Sequence, residues 1–127
     1  MLNKKLTNEI LDHARDEYPV ESCGLIIKEG KTKKYIRCKN ASDMMASRDE
    51  FIIPAEDYSL AEDRGEVLAV VHSHPDATTM QSVRDRAVCS EMGIPWVIVS
   101  WPEGDVRTII PENFPLEGRP FCHGTDL

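Results

Sequence analysis

An excess of positive charge is missing from this sequence. Fifteen Lys and Arg, with no unbroken basic block, stand against 22 Asp and Glu, for a formal net charge of −7. A phosphate backbone is repelled by such a balance, so nucleic acid is not an expected partner. No apolar run approaches the roughly 20 residues of a membrane-spanning helix. The opening Met-Leu-Asn-Lys-Lys-Leu-Thr-Asn-Glu lacks the apolar segment of a secretory signal, so no signal peptide is visible. The cysteines, Cys23, Cys38, Cys89 and Cys122, form no C-x-x-C pair. That spacing excludes a cysteine-rich zinc knuckle and fits reduced thiols in a cytosolic protein. The H-x-E and P-C-x-x-C signatures of zinc deaminases are absent too. There is no internal repeat and no low-complexity segment. What is left is 41% hydrophobic and 29% charged over 127 residues, the composition of one soluble domain with one core.

Most of the chemistry lies between Glu66 and Gly93. Val67 to Val71 reads as a buried strand that delivers His72 and His74 at its end. Residues two apart on a strand share a face, so both imidazoles can grip one metal ion. Pro75 is expected to stop the strand. After a polar loop, Ser82 is expected at the N-cap or in the first turn of a helix, with Ala87, Val88 and Met92 as its apolar positions and Gly93 as its stop. Ser82 and Asp85, three apart, share a helix face. Two His and one Asp form a ligand set that zinc accepts, with the fourth position left for water. H-x-H alone is a common chance pattern. A strand-borne H-x-H followed by helix-borne Ser and Asp is far more specific.

This arrangement, His72-x-His74, seven residues, Ser82, two residues, Asp85, resembles the signature of the JAMM (MPN+) metalloproteases. The resemblance implies one zinc ion per chain, held by His72, His74 and Asp85, with Ser82 supporting the tetrahedral intermediate by a hydrogen bond. It also requires an upstream glutamate as general base. Taken alone, Glu21 reads as a solvated loop carboxylate. Yet Pro19-x-Glu21-x-Cys23-Gly24, followed by an apolar strand, is similar to the way bacterial and phage members present that base. Glu17 and Glu29 fit no such pattern.

In chain order, residues 3–17 have helical spacing, with Leu6, Ile10, Leu11 and Ala14 apolar and either Asn3 or Thr7 as cap. Cys23–Ile27 and Lys33–Lys39 read as a hairpin around Gly30. Met44 to Asp49 is a polar connection whose methionines read as packing filler, with a groove lining as the other reading. Phe51-Ile52-Ile53-Pro54 reads as a short strand. A helix follows to about Arg64, with Tyr58, Leu60 and Ala61 inward and Gly65 as its stop. Ile94–Trp101 and Val106–Ile110 read as a second hairpin, and Trp96 and Trp101 as packing residues. The order implies an α/β (α+β) domain with a single mixed sheet covered by helices. The resemblance implies the same: a mostly antiparallel sheet of the JAMM/cytidine-deaminase-like kind, with zinc at one end.

The expected domain runs over residues 1–110. Residues 111–127 contain three prolines and two glycines in 17 residues, a linker composition. Leu116-x-Gly118-Arg119-Pro120-Phe121 and His123-Gly124 resemble the junction of a family of phage tail-tip assembly proteins. In that family a JAMM domain precedes an NlpC/P60 cysteine peptidase that opens with an Asp-Cys pair. The sequence reaches Asp126-Leu127 without that pair, so Cys122 and His123 read as tail residues.

The resemblance therefore implies a zinc-dependent peptidase or isopeptidase in phage tail assembly or host cell entry, placed in the host cytoplasm or at the tail tip. Its substrate would be a peptide or a ubiquitin-like protein, including a segment of another tail protein; there is no room for the insertions that grip ubiquitin itself. One alternative is a non-catalytic tail module with a stabilising zinc. Another is a bacterial peptidase that processes sulfur-carrier proteins.

Overall fold

A computed structural model describes residues 2–41, 53–80, 83–112 and 114, the side chains of Val83 and Arg84 excepted. The chain folds as α1 (Lys4–Glu17), β1 (Cys23–Glu29), β2 (Thr32–Cys38), α2 (Ala55–Arg64), β3 (Glu66–Pro75), α3 (Val83–Met92), β4 (Trp96–Trp101) and β5 (Val106–Ile109). The strands form one sheet in the order β2-β1-β3-β4-β5. Only β3 and β4 run parallel, because α3 carries the chain back between them. The other neighbours are antiparallel, which makes the mixed α+β sheet that the order of elements implies.

The sheet has a core on each face. On one, Leu6, Ile10 and Ala14 of α1 pack on Ile26, Val71, Val97 and Val99. On the other, Ala61 of α2 and Cys89 of α3 cover Leu25, Ile27, Val70, Trp96 and Ile98. β3 is buried on both sides, so its apolar run is continuous rather than alternating. Asn3, not Thr7, caps α1: its Oδ1 accepts from the Leu6 amide at 2.8 Å.

Some sequence expectations need correction. Leu60 is 57% exposed; Ala61, with Tyr58 half-buried, takes the inward side of α2. Asp85 and Cys89, four apart, are the buried line of α3, which turns Ala87 and Met92 out to solvent. Ile53 and Pro54 are not strand, and Met44–Asp49, Phe51 and Ile52 lie outside the described residues. β3 continues through both histidines and ends at Pro75, as expected. Gly65 ends α2 in extended backbone rather than a left-handed turn, and a Cβ there would collide with the Lys28 carbonyl. It is a glycine of close approach.

Beneath α1, His13 Nδ1 lies 2.7 Å from the Tyr35 hydroxyl, and both residues are buried. The Tyr35 ring crosses Gly24, where any Cβ would overlap it. Burial, reinforced by the Arg37 charge and opposed by Asp16, pulls the His13 pKa from 6.5 down to about 4. The unfolded chain then binds more protons than the folded one between those values, so stability falls as pH drops from 6.5 to 4. The loss reaches about 3 kcal/mol at 1.36 kcal/mol per pKa unit. Urea unfolding of wild type against His13→Gln across that range measures it: the variant's curve is expected to be flatter, and parallel curves would remove His13 as the cause.

Candidate metal centre

The β1–β3 ladder builds the site. Cys23 is the register partner of His72. Just beyond, the Ser73 amide donates to the Ser22 carbonyl at 3.0 Å and the Ser22 amide donates to Ser73 Oγ at 2.8 Å. This reciprocal tie holds the residue before Ser22 against the end of β3. That residue is Glu21, 3% exposed, whose own carbonyl accepts from Asn40 Nδ2 at 3.0 Å. Its Oε1 lies 4.0 Å from His72 Nε2.

His72 and His74 leave the same face of β3, with their Nε2 atoms 3.2 Å apart. Asp85, in the first turn of α3, brings Oδ1 to 3.4 Å from His72 Nε2 and Oδ2 to 3.2 Å from His74 Nε2. His74 Nδ1 sits 2.8 Å from the Thr78 carbonyl. A carbonyl only accepts, so Nδ1 carries the proton and Nε2 keeps its lone pair. His72 is fully buried, its ring edge-on to Trp96 at 5.3 Å between centroids. Burial lowers the His72 pKa, with Asp85 pulling the other way. A neutral imidazole is the form that ligates metal.

The spacing can be tested against an ion. Ligands about 2.0–2.1 Å from a tetrahedral zinc lie roughly 3.3 Å from one another. The separations of 3.2 to 3.4 Å among His72, His74 and Asp85 match that figure. Ligand atoms of Glu21, His72 and His74 also lie within 4.8 Å of one another, close enough to bind a metal. The structure thus brings together four of the five residues singled out in the sequence; the fifth, Ser82, lies outside the described residues. Sequence reasoning missed Thr78, Asn40 and Ser73. Thr78 acts through its backbone carbonyl and leaves no residue-type signal. Ser73, between two candidate ligands on a strand, is the one to which strand pairing points.

The chain is 46% identical over 124 residues to the tail tip assembly protein K of Escherichia phage N15, an alignment covering 97% of this chain and 50% of that protein. The chain therefore spans about half the length of that relative. Among solved structures, a protein from Desulfitobacterium hafniense superposes with a TM-score of 0.65 at 24% identity, covering 84% of this chain and 78% of the other. A JAB1/MPN domain protein from Archaeoglobus fulgidus superposes with a TM-score of 0.56 at 21% identity, covering 83% of each chain. At those identities the likeness is one of fold. The model of the Prok-JAB family, the prokaryotic homologs of the JAB domain, matches residues 3–110. That match takes in every element from α1 to β5 together with both histidines and both acids, and the chain belongs to this family.

Proposed function

We propose that this domain is a zinc-dependent peptidase or isopeptidase that cuts an amide bond in a protein of the phage tail. The observation that carries the reading is the convergence of His72, His74 and Asp85 at tetrahedral spacing, with a buried carboxylate beside them. His72, His74 and Asp85 are the residues assigned to hold the ion. A zinc ion supplies Lewis acidity there, polarising a carbonyl and lowering the pKa of a water toward 7. Glu21 is assigned as the base: it takes the proton of the attacking water and returns it to the leaving amine. Its backbone, held through Ser22 and Asn40, keeps the carboxylate at that edge. Ser82 is assigned as the donor to the developing oxyanion. The Thr78 carbonyl orients His74. The tail setting is supported by likeness to tail tip assembly protein K, of which this chain covers half.

The first experiment is elemental analysis of the purified protein. Close to one zinc per chain is the expected result, followed by cleavage assays on ubiquitin-like and cell-wall peptides. A protein that takes up no metal, even when zinc is supplied, overturns the peptidase reading and leaves a structural tail module.

A further inference from the structure

Among the described residues, Arg15, Arg37 and Arg64 each pair with a carboxylate. Arg86 and Arg107 make no side-chain hydrogen bond or ion pair within that set, and both are exposed. They line one cleft of about 390 Å³ between α3 and β5, together with Ser90, Ile109 and Glu112. The placement follows from the two periodicities. On α3, Asp85 and Cys89 face inward, and Arg86 and Ser90, four apart, form the next stripe around. On β5, Arg107 shares a face with Ile109, which is buried in the cluster beneath α3. Guanidinium groups from two elements therefore bound the same space. β5 is also the last strand of the sheet, and its outer edge pairs with no strand among the described residues. Such an edge presents backbone donors and acceptors to an extended chain.

We infer that this cleft docks an extended acidic segment of a partner polypeptide, which adds along the outer edge of β5 and sets carboxylates on Arg86 and Arg107. Charge complementarity selects the partner. In a chain of net charge −7, two arginines without carboxylate partners among the described residues are complementary to carboxylates supplied by another protein. Arginine binds a carboxylate through two parallel N–H···O bonds. A nucleic acid would bring a phosphate at every step, against only two arginines and the Glu112 carboxylate in this cleft. Strand addition supplies the rest of the affinity from the main chain, and alternate side chains face the cleft. Glu112 repels carboxylates from its own end and favours the part of the cleft nearer Arg86. Arg86 directly follows Asp85, so the segment runs toward the metal centre. In that respect the inference rests on the peptidase reading: the acidic segment flanks the bond to be cut.

The probe is a fluorescein-labelled peptide of alternating Glu and Thr, titrated with the full chain at low salt and followed by anisotropy. Saturable binding is expected, with Arg86→Gln and Arg107→Gln each weakening it about tenfold. A peptide of alternating Lys and Thr is expected not to bind, and a proline-interrupted acidic peptide to bind less tightly, since proline cannot complete a ladder. Both arginines are exposed, so the substitutions leave the core intact. Absence of binding overturns the inference. So does affinity indifferent to both substitutions, or displacement by oligothymidylate as effective as by unlabelled acidic peptide. Cleavage of the same peptide is followed separately. Binding without cleavage counts against the peptidase reading alone, and cleavage indifferent to both arginines counts against the cleft alone.

Discussion

Glu21→Gln is expected to lower peptide turnover by roughly 10²–10⁴-fold, the usual contribution of a positioned general base, while leaving the metal content unchanged. Gln keeps the shape of Glu and removes only its ability to accept a proton. The side chain it replaces is buried and sits 4.0 Å from His72 Nε2, near the metal-facing atoms and farther from them than Asp85 is. Turnover of a fluorogenic peptide, measured beside elemental analysis on the same sample, separates three outcomes. Low turnover with full metal content makes Glu21 the base. Turnover like wild type removes that role. Loss of the metal makes Glu21 a ligand, which its clustering with His72 and His74 would also allow.

Stripping the metal is expected to lower the melting temperature by on the order of 10 °C. An ion present at a thousand times its Kd stabilises the folded state by about 4.1 kcal/mol. Each kcal/mol moves the midpoint of a domain of this size by a few degrees. Asp85→Ala is expected to reproduce most of that loss and to blunt any further effect of a chelator. Asp85 reaches both histidines from α3. Without an ion, the carboxylate and the imidazoles are also left crowded in a nearly dry pocket, at a desolvation cost that ligation would have offset. Differential scanning calorimetry, with and without chelator, on both proteins gives the answer. A chelator shift in Asp85→Ala as large as in wild type would remove Asp85 from the ligand set.

Legibility followed the range of the physics. The two histidines were readable because strand alternation is local, and Asp85 because three residues of helix fix a face. Glu21 was different. Its place beside His72 depends on the register of β1 against β3, which no local pattern encodes, and only the Pro19-x-Glu21-x-Cys23-Gly24 resemblance pointed to it. The inward face of α3 was misread because its buried line is a carboxylate and a thiol, Asp85 and Cys89. A hydrophobic template passes over both and picks Ala87 and Met92 instead. Gly65 looked like an ordinary helix stop because the Lys28 carbonyl it makes room for lies far away in sequence. Asn40 and Thr78 carried no signal, since each touches the site through a backbone carbonyl, its own or another residue's.

The pairing of Cys23 with His72 has a consequence in time as well as in space. The carboxylate lies just before the first strand and the imidazoles on the third, with a hairpin and a helix between them in the chain. Nothing local brings them together; they meet only when β3 has docked beside β1. Contacts of such long sequence separation form late, after the cost of closing the intervening loop has been met. A polypeptide still leaving the ribosome with β3 unmade therefore holds a carboxylate with no imidazoles beside it. Assembly of the centre is withheld until β3 has docked beside β1, so the nascent chain carries no assembled centre before that point.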